Sequence, residues 1–203
     1  MFKNLASDAL GLSDVGAVIG PADYDKVDTD NYILHEENEK IYFLIKSKSD
    51  EYCFTNLALL HLDGTSATSK RRLLKRFSYR RNTIQDVKLE TAGTLDMDIE
   101  IKFVMGGISY SIDVNKNHLT ALKDLYKTLI KISSIQHENG ILFQHAQNSL
   151  ATAASVSNRF TATETPEEQF KAINQYTFGW LKHAQENFVR QDFGEVFEKF
   201  INN

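Results

Sequence analysis

The chain has 203 residues, of which 42% are hydrophobic and 25% are charged, and its formal net charge is -4. This is ordinary globular usage, with enough apolar residues for a core. The N-terminal residues lack the basic region and apolar run of a signal peptide, and nothing later approaches a membrane span. The single cysteine, Cys53, cannot form an intramolecular disulfide, so we expect a cytoplasmic protein.

The middle third of the sequence predicts antiparallel strands. Two strand-like runs, Ile41–Lys48 and Glu51–Leu62, are separated by a short polar turn. A further run, TIQDVKLE, is apolar at Ile84 and then at Val87 and Leu89, which are out of phase in a regular strand. One extra residue would bring them onto one face, so we expect a β-bulge there.

The clearest strand pattern is a hairpin near the centre of the chain. In MDIEIKFVM (97–105) every second residue is apolar, and ISYSIDV (108–114) alternates in the same way. Gly106-Gly107 lies between the two runs and is typical of a two-residue hairpin turn.

A basic segment, SKRRLLKRFSYRRN (69–82), precedes these strands. Residues 64–82 carry 7 basic groups and no acidic group, whereas residues 1–63 carry 5 basic and 12 acidic groups. A helix would spread the charges around its circumference, so we predict a strand. Its cationic face contains Lys70, Arg72, Arg76 and Arg80. Its mixed face contains Arg71, Leu73, Lys75, Phe77 and Tyr79.

The cationic face has two interpretations. Lys and Arg side chains can keep a long edge strand soluble and unpaired, with their charge balanced by the protein itself or by a neighbouring copy. Alternatively, Lys70, Arg72, Arg76 and Arg80 form an anion-binding site for a lipid headgroup, a nucleic acid or an acidic protein surface. The sequence leaves both open and favours the first.

Beyond the strands, the apolar period becomes that of a helix. A continuous apolar stripe runs from Leu119 to Ile135, which predicts a helix that reaches about His137. Gly140 is expected to end or bend this helix, and the composition stays helical to Asn158.

A second helix is predicted to start at Thr165-Pro166-Glu167-Glu168, which combines an N-cap Thr, an early Pro and a Glu placed to close a capping box. Two helices alone would leave its apolar face as a large exposed patch. We therefore predict an oligomer interface formed by Phe170, Ile173, Trp180, Leu181 and Phe188.

No catalytic or metal-binding constellation emerges from the sequence. None of the 6 histidines has the i, i+3 or i, i+4 spacing of helical metal ligands. Cys53 has no basic sequence neighbour that would lower its pKa, so we expect a buried small residue and not a nucleophile. We predict neither an enzyme nor a bound cofactor.

Several segments together resemble a known family. YILHEENEKI (32–41), EYCFTN (51–56), KRFSYRRNTIQDVKLETAG (75–93) and the helix from about Asn117 are similar to bacterial pleckstrin-homology (PH-like) domains. The remaining chain resembles the oligomerisation region of YvbH-like proteins. The resemblance implies an antiparallel β-barrel that a C-terminal helix closes at one end, in a module that forms rings or other oligomers.

Lipid binding is not carried over with this resemblance. The eukaryotic lipid-binding motif places basic residues in the loop between the first two strands. Here that loop, Lys46 to Glu51, contains two Lys and two acidic residues.

The order of the predicted elements is strands, then a helix, then a helical hairpin. This order is typical of an α+β protein. We expect an N-terminal segment (1–29), a bacterial PH-like domain (30–137) and a helical hairpin for oligomerisation (138–203). The predicted function is a non-enzymatic cytoplasmic module that associates with itself and presents a surface for protein partners. The alternative is an anion-binding adaptor that uses residues 70–81 on membrane lipid or nucleic acid.

Overall fold

The computed structural model describes residues 14–64, 72–91, 98–157 and 165–201. The strands are β1 (Ala17–Val18), β2 (Ile41–Lys46), β3 (Glu51–Thr55), β4 (Ala58–Gly64), β5 (Arg72–Ser78), β6 (Ile84–Glu90), β7 (Asp98–Met105) and β8 (Ile108–Asn115). The helices are α1 (Leu119–Ser157), α2 (Pro166–Phe188) and α3 (Gly194–Phe200), with short 3-10 helices at Pro21–Lys26, Asp28–Tyr32, His35–Glu37 and Lys116–His118. In the described ranges, no helix is both long and apolar enough to cross a membrane.

The first sheet is antiparallel, with strand order β1-β2-β3-β4-β5. The prediction of one strand over Glu51–Leu62 is wrong, because the chain turns at Asn56 and Leu57 and pairs β3 with β4. The predicted strand in the basic segment is confirmed over Arg72–Ser78, whereas Tyr79 and Arg80 lie in the turn that follows, and Lys70 lies outside the described residues. β5 is the outer strand of this sheet.

The chain before β2 covers one face of the first sheet. Buried Ile19, Val27 and Ile33 pack in one cluster with Leu44 and Leu60 of the sheet. Leu74 of β5 packs against the same cluster, whereas Leu73 points away and is 56% exposed. The predicted alternation along β5 is therefore only partly observed.

The second sheet has strand order β6-β7-β8. The predicted hairpin is confirmed, since Gly106 and Gly107 connect β7 to β8 with positive φ angles of 61° and 77°. The predicted bulge is also confirmed: the register of β6 shifts between Gln85 and Lys88, and Asp86 between them has φ 53°.

Aromatic side chains join the two sheets face to face. Phe54 lies edge-on to Phe103 with ring centroids 6.1 Å apart, and Tyr52 lies edge-on to Tyr110 at 6.2 Å. The predicted closed barrel is corrected to two separate sheets, linked in the described chain by an isolated bridge at Gly16. The predicted antiparallel pairing of the strands is confirmed in both sheets.

The first half of α1 buries its apolar face. Its predicted apolar stripe is confirmed, with four residues fully buried: Leu122, Leu125, Leu129 and Ile132. The hydroxyl of Ser133 donates to the Ile84 carbonyl of β6 at 2.6 Å. Gly140 does not end the helix, which continues to Ser157. A single interior Gly costs only about 1 kcal/mol relative to Ala, which a long helix tolerates.

The short helix α3 packs on the first sheet. Phe197 stacks on Tyr42 of β2 with ring centroids 5.2 Å apart, and the Tyr42 hydroxyl donates to Glu198 at 2.9 Å. Phe193 packs against Tyr79 at 5.5 Å, and both Phe193 and Phe197 are fully buried. Phe193 and Phe197 therefore belong to the same core as Tyr42 of β2 and Tyr79, which follows β5.

The described chain divides into two compact units. The first contains residues 1–133 and 191–203, and the second contains residues 134–190. In the second unit, the predicted capping box is confirmed, because Thr165 and Glu168 bond reciprocally at the start of α2. The Asn139 side chain lies 2.7 Å from the Phe188 carbonyl, which joins α1 to the end of α2. The predicted domain bounds at 29 and 137 stay a prediction.

Candidate functional site

The cations of β5 are matched by carboxylates of the same unit. Arg72 Nη1 donates to Asp28 at 2.6 Å, and Lys75 Nζ donates to Asp63 at 2.6 Å. Arg76 Nη2 donates to Glu39 Oε1 at 2.9 Å. These contacts supply internal partners for three of the seven cations in the basic segment.

Glu39 is a buried carboxylate that organises the region around Arg76. It also accepts hydrogen bonds from the Thr55 hydroxyl at 2.6 Å and from the Leu34 amide at 2.9 Å. The three donors come from β5, β3 and the segment before β2, so the carboxylate fixes these elements together. Arg76 is thereby held in one position at the sheet edge.

Glu51 plays the same part at the other end of β3. Its side chain accepts hydrogen bonds from the Thr29 amide and the Thr29 hydroxyl, both at 2.9 Å, and it pairs with the Lys46 ammonium. Burial alone would raise the pKa of the Glu51 carboxyl, but Lys46 and Thr29 outweigh burial and lower that pKa. Glu51 is therefore ionised, and its hydrogen bonds hold the segment before β2 on the first sheet.

Beyond β5, the chain turns at Arg80 and Arg81 beside an open cavity of about 650 Å³. The cavity is lined by Leu57, Arg76, Phe77, Ser78, Arg80, Arg81, Asn82 and Gln191. Two of the predicted anion-binding residues, Arg76 and Arg80, thus come together, whereas Arg72 is paired with Asp28. Arg81 lies within the predicted anion-binding segment 70–81 but was not among the named site residues, and Gln191 was not predicted.

A second polar cluster contains Asp50, His61 and Asp63, whose potential ligand atoms lie within 4.8 Å of one another. His61 Nε2 is 3.1 Å from Asp50 Oδ1, and burial lowers the pKa of His61. Lys75 Nζ is 2.6 Å from Asp63, so a positive charge already lies beside this cluster. Strand pairing, and not helical spacing, brings these residues together, which is why the sequence did not indicate them.

Cys53 has the environment that the sequence predicted. It is fully buried in the core of the first sheet. Burial and the nearby Glu39 and Glu51 raise the pKa of its thiol well above the usual range. A thiol of this kind is a packing residue and a poor nucleophile.

The predicted interface residues of α2 differ in exposure. Phe170, Ile173 and Phe188 are exposed, by 70%, 43% and 41%, whereas Trp180 and Leu181 are half-buried. Two further aromatic side chains of this helix, Tyr176 and Phe178, are also exposed.

Comparison with known proteins places this architecture in a family. Residues 9–133 match the family described as "Bacterial PH domain", and residues 144–203 match the "YvbH-like oligomerisation region". The protein belongs to the bacterial PH domain family. The family resemblance seen in the sequence is thereby confirmed.

Two relatives of this bacterial PH domain protein match it along nearly its whole length. The "Uncharacterized protein YvbH" of Bacillus subtilis (strain 168) is 52% identical over 204 residues and is covered completely, as is the present chain. The crystal structure of a PH domain containing bacterial protein from Exiguobacterium sibiricum 255-15 is 46% identical, with a TM-score of 0.86. That comparison covers 93% of this chain and 100% of the other.

The two family matches divide this bacterial PH domain protein differently from its compact units. The oligomerisation region includes α3, although residues 191–203 group with the PH-like unit. The matched oligomerisation region therefore supplies both a helical unit and a part of the PH-like core.

Proposed function

We propose that the protein is a non-enzymatic cytoplasmic module that associates with itself through its second unit and presents the PH-like unit to protein partners. The observation that carries this proposal is the row of exposed apolar side chains on α2. Phe170, Ile173 and Phe188 lie on one helical face with half-buried Trp180 and Leu181.

The occupant that this face fits best is a second copy of the chain. Exposed aromatic and aliphatic side chains in a contiguous row are uncommon on monomers and typical of association surfaces. The segment also matches a family named for oligomerisation. Neither matched family description names an enzymatic activity, which supports a binding role.

The test measures molar mass by light scattering on the full chain and on a Phe170→Gln/Ile173→Gln variant. We expect the parent to have a mass of at least twice the 23.1 kDa of one chain. Each large apolar side chain contributes roughly 1.5–3 kcal/mol on burial, so the variant should dissociate at concentrations at least about tenfold higher. Gln preserves helix propensity, so circular dichroism should show unchanged helix content.

The matched control is Leu34→Gln/Leu73→Gln, which removes two exposed apolar side chains outside α2. This control should keep the parental mass. A parent that is monomeric at micromolar concentration, or equal dissociation of both variants, would contradict self-association through α2.

A further inference from the structure

We propose that the cavity at the turn between β5 and β6 binds the phosphate group of a small phosphomonoester, through Arg80 and Arg81 with Arg76 at its wall. This site is independent of the proposed self-association and would add a ligand to the PH-like unit. All the lining residues belong to that unit.

The charge balance of the basic segment points to this end of β5. Arg72, Lys75 and Arg76 each pair with a carboxylate of the protein. Within the described residues, no carboxylate forms an ion pair with Arg80 or Arg81, and both residues are exposed. The cavity lining includes no acidic residue. Uncompensated positive charge is therefore concentrated at the cavity.

The turn that carries the two arginines is held in place by its neighbours. The Tyr79 side chain is buried, and the Tyr79 amide donates to the Leu57 carbonyl at 3.0 Å. The amides of Arg81 and Asn82 both donate to the Ser78 carbonyl at 3.0 Å. Because the backbone is fixed, little conformational entropy remains to be lost there when a ligand binds.

Because Arg76 contacts Glu39, its role in the cavity differs from that of Arg80 and Arg81. Glu39 neutralises Arg76 and orients its guanidinium from the buried side. Arg76 therefore shapes the wall of the cavity, whereas Arg80 and Arg81 supply the net charge. Arginine forks donate two parallel hydrogen bonds to a phosphate, which a lysine ammonium cannot reproduce.

The size and lining of the cavity indicate a phosphate attached to a small organic group. A volume of about 650 Å³ is larger than a single phosphate needs and lies within the range of small-molecule sites. Asn82 and Gln191 add side-chain amides for polar groups, and Leu57 and Phe77 add apolar contact. Such a ligand can be a soluble phosphorylated metabolite or the headgroup of a phosphomonoester lipid.

The experiment measures binding to the full-length protein at low salt by two probes. The soluble probe is glycerol phosphate in isothermal titration calorimetry. The lipid probe is a vesicle of equal parts phosphatidylcholine and phosphatidic acid in a flotation assay, with pure phosphatidylcholine as reference. The variants are Arg80→Gln/Arg81→Gln, Arg80→Lys/Arg81→Lys and, as a charge-matched control, Lys40→Gln/Lys48→Gln, which changes exposed cations outside the cavity.

We expect the Arg80→Gln/Arg81→Gln variant to bind at least about tenfold more weakly and the control to change less than about twofold. The Lys variant should lie between them, because it keeps the charge and loses the fork. Binding of glycerol phosphate would identify the ligand as a soluble phosphorylated metabolite. Binding of the vesicle alone would identify the ligand as a phosphomonoester lipid headgroup. Absence of binding to both probes, or equal weakening by the control, would overturn the proposal.

Discussion

The Glu51→Gln substitution tests how the N-terminal segment is held on the first sheet. Glu51 is 1% exposed and accepts hydrogen bonds from the Thr29 amide, the Thr29 hydroxyl and the Asp28 amide, besides its pairing with Lys46. Gln has nearly the same shape but is neutral and keeps one acceptor oxygen. The change therefore removes the ion pair and at least one acceptor, while it leaves the packing volume unchanged.

The expected loss of stability depends on which partners of Glu51 the substitution leaves unpaired. Removing one partner of a fully buried ion pair costs roughly 3–5 kcal/mol, and a hydrogen bond to a charged group contributes roughly 1.5–3 kcal/mol. The Lys46 side chain is 21% exposed, so its ammonium can recruit water after the substitution. We therefore expect the free energy of unfolding of the PH-like unit to fall by about 3 kcal/mol.

Urea unfolding followed by far-UV circular dichroism measures this loss. The fluorescence of Trp180, the only tryptophan, reports separately on the second unit and should change less. Hydrogen exchange of the Thr29 amide gives a local readout, because this buried amide donates to Glu51 and should exchange faster in the variant.

The control is Glu90→Gln, which removes the same charge from an exposed pair with Lys102 in the same unit. Exposed pairs contribute at most about 1 kcal/mol, so this variant should unfold close to the parent. If the free energy of unfolding fell by less than about 1 kcal/mol for Glu51→Gln, and the Thr29 amide kept its protection from hydrogen exchange, Glu51 would not hold the N-terminal segment on the sheet.

Two further predictions concern pH and the β7–β8 turn. Because the pKa of Glu51 is lower in the folded than in the unfolded chain, its stabilising contribution is complete above about pH 4.5 and is lost as the pH falls through the folded pKa. The difference in unfolding free energy between the parent and Glu51→Gln should therefore narrow in acid, and urea titrations that show it widening would contradict this sign. Gly106→Ala should destabilise more than Gly107→Ala, because a Cβ at Gly106 would lie 2.2 Å from Phe77 Cδ1, whereas the space at Gly107 is open. Both glycines have positive φ, so the shared backbone cost of about 1–2 kcal/mol cancels in this comparison, and equal urea midpoints would contradict the steric reason.

The parts of the fold that the sequence predicted well have one buried face and one exposed face. Ile99, Ile101 and Phe103 are buried and alternate with half-exposed polar residues, so their period of two is visible in the sequence. The bulge was predictable for the same reason, because one extra residue shifts the phase of an otherwise regular strand.

The break between β3 and β4 was missed because both faces of the first sheet are covered. Cys53 and Leu60 face the N-terminal segment, and Phe54 faces Phe103 of the second sheet. Apolar residues therefore follow one another without alternation, and the turn at Asn56 is hidden in an apolar run.

The candidate site depends on contacts between residues far apart in sequence. Arg72 and Asp28 are 44 residues apart, and Arg76 and Glu39 are 37 apart. The basic segment indicated an excess of cations, but only the structure shows which of them are already paired. Gln191 reaches the cavity because the chain returns to the PH-like unit after α2, and its neighbours in the sequence give no indication of this.

The packing of α3 on Tyr42 and Tyr79 also sets the order in which the protein can fold during synthesis. Tyr42 and Glu198 are 156 residues apart, so the ribosome makes the whole helical unit before Phe193 and Phe197 exist. Until then, the aromatic surface of the nascent PH-like unit stays uncovered and available to chaperones or to other nascent chains. Translation that stops after α2 would therefore leave the PH-like core without Phe193 and Phe197, the aromatic side chains that pack on Tyr42 and Tyr79.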